Sequence, residues 1–121
     1  MVLVGNSDDL KDRTKHFALR VVRYTERFPF TKRPGSLVDN FCSGTSVGAN
    51  YRAACRARSK AEFVAKIGIV LEEADETIFW LELLQESGIM SPQKLMPLVQ
   101  EARELTAIFV TSIRTAKGIA S

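Results

Sequence analysis

Ser43-Gly44-Thr45-Ser46-Val47-Gly48-Ala49-Asn50-Tyr51 runs into Arg52, Arg56 and Arg58, and then into Ser59-Lys60-Ala61-Glu62-Phe63. This stretch joins a helix of small residues to a basic elbow and the capped start of a long helix. Gly44 and Gly48 each cost a helix about 1 kcal/mol relative to Ala. Close approach of a neighbouring helix is the simplest feature that would offset that loss. Ser59 and Glu62 have capping-box spacing, in which the hydroxyl takes the Glu62 N–H and the carboxylate reaches back to the Ser59 N–H.

Outward from this joint, the pattern predicts four helices. The second spans Ser36 to Arg56, with Leu37, Phe41, Thr45, Gly48 and Cys55 in a narrow arc and Asn50 nearly opposite Phe41. The third carries the stripe Phe63, Ile67, Val70, Leu71, Ala74, Ile78 and Leu81 and stops at Gly88, a residue that tolerates the left-handed backbone. The fourth opens at Ser91-Pro92 and carries Leu95, Leu98, Ala102, Leu105, Phe109, Ser112 and Ala116. Pro97 removes a hydrogen bond there, so a distorted start is expected, with regular helix from Pro97 onward. The first helix runs from Asp8 to Phe28 through Leu10, Thr14, Phe17, Val21 and Tyr24, and Pro29 ends it. Strand-like alternation is missing and the connections are short. The expectation is all-α: one antiparallel up-down-up-down four-helix bundle over residues 1–121, with 1–7 and 118–121 as flexible termini.

A chain of 121 residues is one domain, long enough to bury a core without disulfides or metal. Cys42 and Cys55 are 13 residues apart. On one helix that is about 20 Å, too far for a disulfide. No apolar run reaches the roughly 20 residues that a membrane span needs, and no signal-peptide core is evident, so a cytoplasmic location is expected. Net charge is +3, but residues 1–60 hold 12 Lys/Arg against 5 Asp/Glu, while 61–121 hold 5 against 9. This asymmetry points to a basic surface that meets an anionic partner or the acidic half of a neighbouring copy.

The third helix has a second apolar side. With Ile67 at the centre of the core face and 100° per residue, Phe79 falls at about 120°, Leu83 at about 160°, Ile69 at about 200° and Trp80 at about 220°. Together with Glu72 and Glu76 they have the composition of an interface anchor rimmed by charge. The expectation is a subunit contact in which Glu72 and Glu76 face arginines such as Arg52 or Arg56. The alternative is that the other helices wrap far enough to cover these residues.

Arg13, His16, Arg20, Arg23 and Arg27 recur at 3-4-3-4 spacing as a basic ridge beside the first core stripe, and Arg52, Arg56, Arg58 and Lys60 add a second cluster at the elbow. Such cations can contact successive phosphates, with strongly salt-dependent binding. The competing reading is a solvated charged face. His16 is the only histidine, so a di-iron bundle, which requires Glu-x-x-His pairs, is not expected. Nor is any catalytic triad, phosphate-cradling glycine loop, metal or cofactor. Catalysis is not expected.

From Phe41 to about Lys117 the chain resembles the four-helix-bundle proteins encoded in intervening sequences of bacterial 23S rRNA. The residues that carry the resemblance are Ser46-Val47-Gly48-Ala49-Asn50, Arg58 to Phe63, and Glu73-Ala74-Asp75-Glu76-Thr77-x-x-Trp80-Leu81, with Gly88-Ile89 and the fourth stripe fitting as well. Where many relatives follow the Asn with Ile-Ala-Glu-Gly, this chain has Tyr51-Arg52-Ala53-Ala54. A role tied to their acidic residue therefore does not transfer. The resemblance implies an antiparallel bundle with no established catalytic activity. It also implies kinship with accessory proteins of diversity-generating retroelements, which form basic pentameric barrels that bind nucleic acid and a reverse transcriptase. The expected function is thus a cytoplasmic, non-enzymatic homo-oligomer, taken as a pentamer, that binds RNA or structured nucleic acid through its basic ridges. The rival is a protein-interaction scaffold with no nucleic-acid role.

Overall fold

Four helices make up the computed structural model, which describes residues 7–26, 35–88 and 90–118, with side chains for 8–24, 26, 42–88 and 90–118. They are α1 (Ser7–Glu26), α2 (Gly35–Ala54), α3 (Lys60–Glu86) and α4 (Pro92–Ala116). No strand occurs among the described residues. Arg27, Phe28, Pro29, Ile89, the loop 31–34, most of both termini and the side chains of Leu37 and Phe41 lie outside the described set, as do the expectations placed on them.

Each helix packs on the next in sequence, and α4 returns to meet α1 along the narrowest seam. Among the described residues the backbones of the diagonal pairs α1–α3 and α2–α4 do not approach closely. This is the cyclic order of an up-down-up-down bundle, as short connections require. The core forms from Leu10, Phe17 and Val21 of α1, Val47 and Tyr51 of α2, Ile67, Val70, Leu81 and Leu84 of α3, and Leu95, Leu98, Leu105 and Phe109 of α4. The stripes expected on α1, α3 and α4 are therefore the inward faces. Thr14 is wholly buried with them, and its hydroxyl donates to the Leu10 carbonyl at 2.8 Å.

The inward face of α2 differs from the expected arc. It is made by Ser43, Gly44, Val47, Gly48, Tyr51 and Ala54, while Thr45 is only half-buried. The reason is steric. A Cβ on Gly44 would come 2.8 Å from Val21 Cγ2, and one on Gly48 would come 3.3 Å from the Thr14 carbonyl oxygen. The two glycines thus let α2 lie against α1, and Tyr51 follows them inward, its ring 5.8 Å from that of Phe109. Burial, and the adjacent Cys55 thiol, push the Tyr51 phenol up from its ordinary pKa.

Ser59 caps α3 with its side chain accepting the Glu62 N–H at 3.1 Å. The reciprocal half of the capping box is not made: Glu62 Oε1 lies 3.4 Å from Lys66 Nζ, one turn on. Gly88 has φ +77° just past the end of α3, the left-handed stop expected of it. At α4 the outcome departs from expectation, because helix begins at Pro92 and continues through Pro97. The Ser91 side chain makes no cap; its carbonyl instead accepts the N–H groups of Lys94 and Leu95, at 3.1 and 3.2 Å. Pro97 lacks only the donor that would have reached Gln93, an exposed residue near the helix start, so α4 absorbs it without a break.

Candidate nucleic-acid interface

The basic residues of α1 fall into separate groups. Arg13 points across the narrow α1–α4 seam, where Nε meets Glu101 Oε2 at 2.8 Å and Nη2 meets Glu101 Oε1 at 2.8 Å and Glu104 Oε1 at 2.9 Å. Its hydrogen bonds to Glu101 raise its pKa further above the ordinary arginine value. The Tyr24 hydroxyl donates to the Lys94 carbonyl along the same seam. Arg13 is therefore a clasp between helices, and the expectation of a free guanidinium at the head of a continuous ridge is corrected. Its fork matches a carboxylate, and carboxylates stand opposite it.

His16 and Arg23 are exposed, and Arg20 is half-buried. His16 Nδ1 sits 2.8 Å from the Asp12 carbonyl, which fixes Nδ1 as the protonated, donating nitrogen in that bond. Arg58 and Lys60 are exposed at the elbow.

A second group converges where the first half of α1 meets the end of α2. Lys11, Asp12, Lys15, Arg52 and Arg56 line an open depression of about 230 Å³. Sequence reasoning placed Arg52 and Arg56 in a cluster with Arg58 and Lys60, which do not line it, and missed Lys11 and Lys15. The signal was present. Lys11 and Lys15 are one turn apart on α1, as Arg52 and Arg56 are four residues apart at the end of α2. What was lacking was the knowledge that α1 and α2 lie side by side. Lys11 pairs only loosely with Asp8, at 3.6 Å. Among the described residues, Lys15, Arg52 and Arg56 form no ion pair, while Lys66 pairs with Glu62 and Arg103 with Glu82.

The outer face of α3 has the opposite character. Ile69 is 48% exposed, Phe79 54% and Leu83 41%, beside exposed Glu72 and Glu76. Trp80 is half-buried, packed edge-on to Phe79 with centroids 5.0 Å apart, and its enclosed indole N–H finds no acceptor among the described residues. Among the described residues, this second apolar side is thus left largely uncovered. Glu73 borders it, and burial, together with the nearby Glu76 and Glu72 carboxylates, raises its carboxyl above the ordinary value.

No helix among the described residues is long and apolar enough to cross a membrane. A family model described as 23S rRNA-intervening sequence protein matches residues 8–111. Among solved structures, a protein of unknown function from the S23 ribosomal protein family of Bacteroides thetaiotaomicron VPI-5482 is similar. It is 31% identical, with a TM-score of 0.84 over 89% of this chain and 97% of that one. No curated protein matches the chain.

Proposed function

Because the chain belongs to the 23S rRNA-intervening sequence protein family, we propose that it is a non-enzymatic, cytoplasmic homo-oligomer that binds RNA or structured nucleic acid through backbone phosphates. The observation that carries this reading is the division of the bundle between two unlike faces. Phe79, Leu83 and Ile69 stand exposed among carboxylates on α3, while cations gather on α1 and α2. Since α1 and α3 are diagonal in the bundle, their outer faces point away from each other. Apolar side chains of that size, clustered on one helix and rimmed by charge, suit a subunit contact. A heterologous contact made through this α3 face closes as a ring where its rotation allows, and the family resemblance suggests five copies.

Ring closure would repeat the cationic face around the assembly and multiply its contacts with phosphate. Exposed Arg23, half-buried Arg20 and the α1–α2 depression are then the contacting groups, with Arg58 and Lys60 at the margin. Light scattering at micromolar concentration should give a mass several times 13.5 kDa. Anisotropy with an RNA duplex should give an affinity that falls steeply with salt. A monomer removes the assembly. A salt-independent affinity, or none, removes the nucleic-acid role and leaves an interaction scaffold.

A further inference from the structure

In the α1–α2 depression four cations line a single hollow. Local helix energetics account for only half of them. Arg52 lies in the last turn of α2 and Arg56 just beyond it, where cations offset the negative end of the helix dipole. Lys11 and Lys15 have no such role, since they belong to the first half of α1, the end of a helix that favours anions. Four like charges brought together repel one another, and Asp12 is the single carboxylate in the lining. An anion bound between the walls would relieve that repulsion.

We propose that this depression is a phosphate-binding site that takes two linked phosphate groups, held between Lys11 and Lys15 on one wall and Arg52 and Arg56 on the other. On α1 the two ammonium groups stem from positions about 6 Å apart along the axis, so the wall offers a pair of charges and not a single point. Linked phosphates match that pair better than a lone carboxylate does. No aromatic residue lines the site, so a base has nothing to stack on and recognition is blind to sequence. Asp12 holds the charge of the site down and disfavours weakly charged anions less than it weakens the grip on phosphate. This assignment withdraws Arg52 and Arg56 from the subunit contact. It draws on the nucleic-acid reading for the source of the phosphates alone.

Two probes separate the possible sources: inorganic pyrophosphate by calorimetry, and a fluorescent RNA duplex by anisotropy across a salt series. The variants are Lys11→Ala/Lys15→Ala, Arg52→Ala/Arg56→Ala and Asp12→Asn, with circular dichroism and light scattering as controls for fold and assembly. The expected result is at least tenfold weaker binding of both probes by each double variant, and tighter binding by Asp12→Asn, at unchanged subunit mass. The slope of log affinity against log salt should fall by about 2 for each double variant. Pyrophosphate binding that the double variants lose, without any duplex binding, keeps the site and overturns the nucleic-acid reading. Duplex binding that survives in both double variants overturns the site and leaves the nucleic-acid reading to Arg20 and Arg23. A change of mass in Arg52→Ala/Arg56→Ala without loss of either probe also overturns the site, and returns those arginines to the subunit contact.

Discussion

At Gly44 the usual preference of a helix for Ala over Gly is reversed. An added methyl carbon would stand 2.8 Å from a γ-carbon of Val21, itself wholly buried and, being β-branched, stiff at χ1. Gly44→Ala should therefore lower stability by about 1–2 kcal/mol in urea unfolding, despite its better propensity. Gly44→Ala/Val21→Ala should lose less than the two single changes added together, and strict additivity would show that the contact is not limiting. Glu73 makes a different prediction. Its raised carboxyl means that the folded state holds a proton there more tightly than the unfolded chain does. That contribution to stability is complete below the ordinary carboxylate range and is lost as pH rises through the raised folded value. Glu73→Gln should thus melt higher than the parent at neutral pH, with the gap closing by about pH 4. A constant gap across that range would rule out Glu73 as its source.

At the scale of elements, α1 and α4 meet along the narrowest seam of the bundle, and polar contacts cross it. Arg13 bridges Glu101 and Glu104 while Tyr24 reaches the Lys94 carbonyl. The arginine is partly exposed, so its removal should cost only about 1 kcal/mol overall. The loss should be local: Arg13→Ala should speed amide exchange in α1 and the middle of α4 while leaving α2 and α3 protected. Arg13→Lys keeps the charge without the fork and should recover part of the protection. Uniform acceleration across all four helices would deny the clasp a local role. The helices themselves were legible, because each inward stripe of α1, α3 and α4 repeats at the helical period. The face of α2 was not, because glycine, serine and alanine carry too little apolar weight to mark a side. Arg13 was misread for a related reason: Glu101 is 88 residues away in sequence.

For the whole molecule, the exposed apolar face of α3 sets the expected assembly. Phe79 and Leu83 are exposed, so Phe79→Glu/Leu83→Glu should reduce the light-scattering mass to that of a monomer with helix content intact. They are cleaner probes than Trp80, whose half-buried ring and enclosed indole N–H mean that Trp80→Glu would also disturb its own subunit. An unchanged mass in the double variant would place the contact elsewhere. Since both substitutions lie across the bundle from Lys15, any loss of duplex affinity that accompanies dissociation would reflect multivalency.

Periodicity, caps and short connections are local properties, and from them the sequence alone determined that this protein is a four-helix bundle whose third helix is apolar on two sides. Which charges act together depends on distance through space, and only the packing of α1 against α2 and α4 decided that. It set Arg13 against two glutamates and brought Lys11 and Lys15 beside Arg52 and Arg56. A one-dimensional pattern shows which face of a helix a cation occupies, but its partner is chosen by the neighbouring helix, whose position follows from how closely Gly44 and Gly48 let the backbones approach.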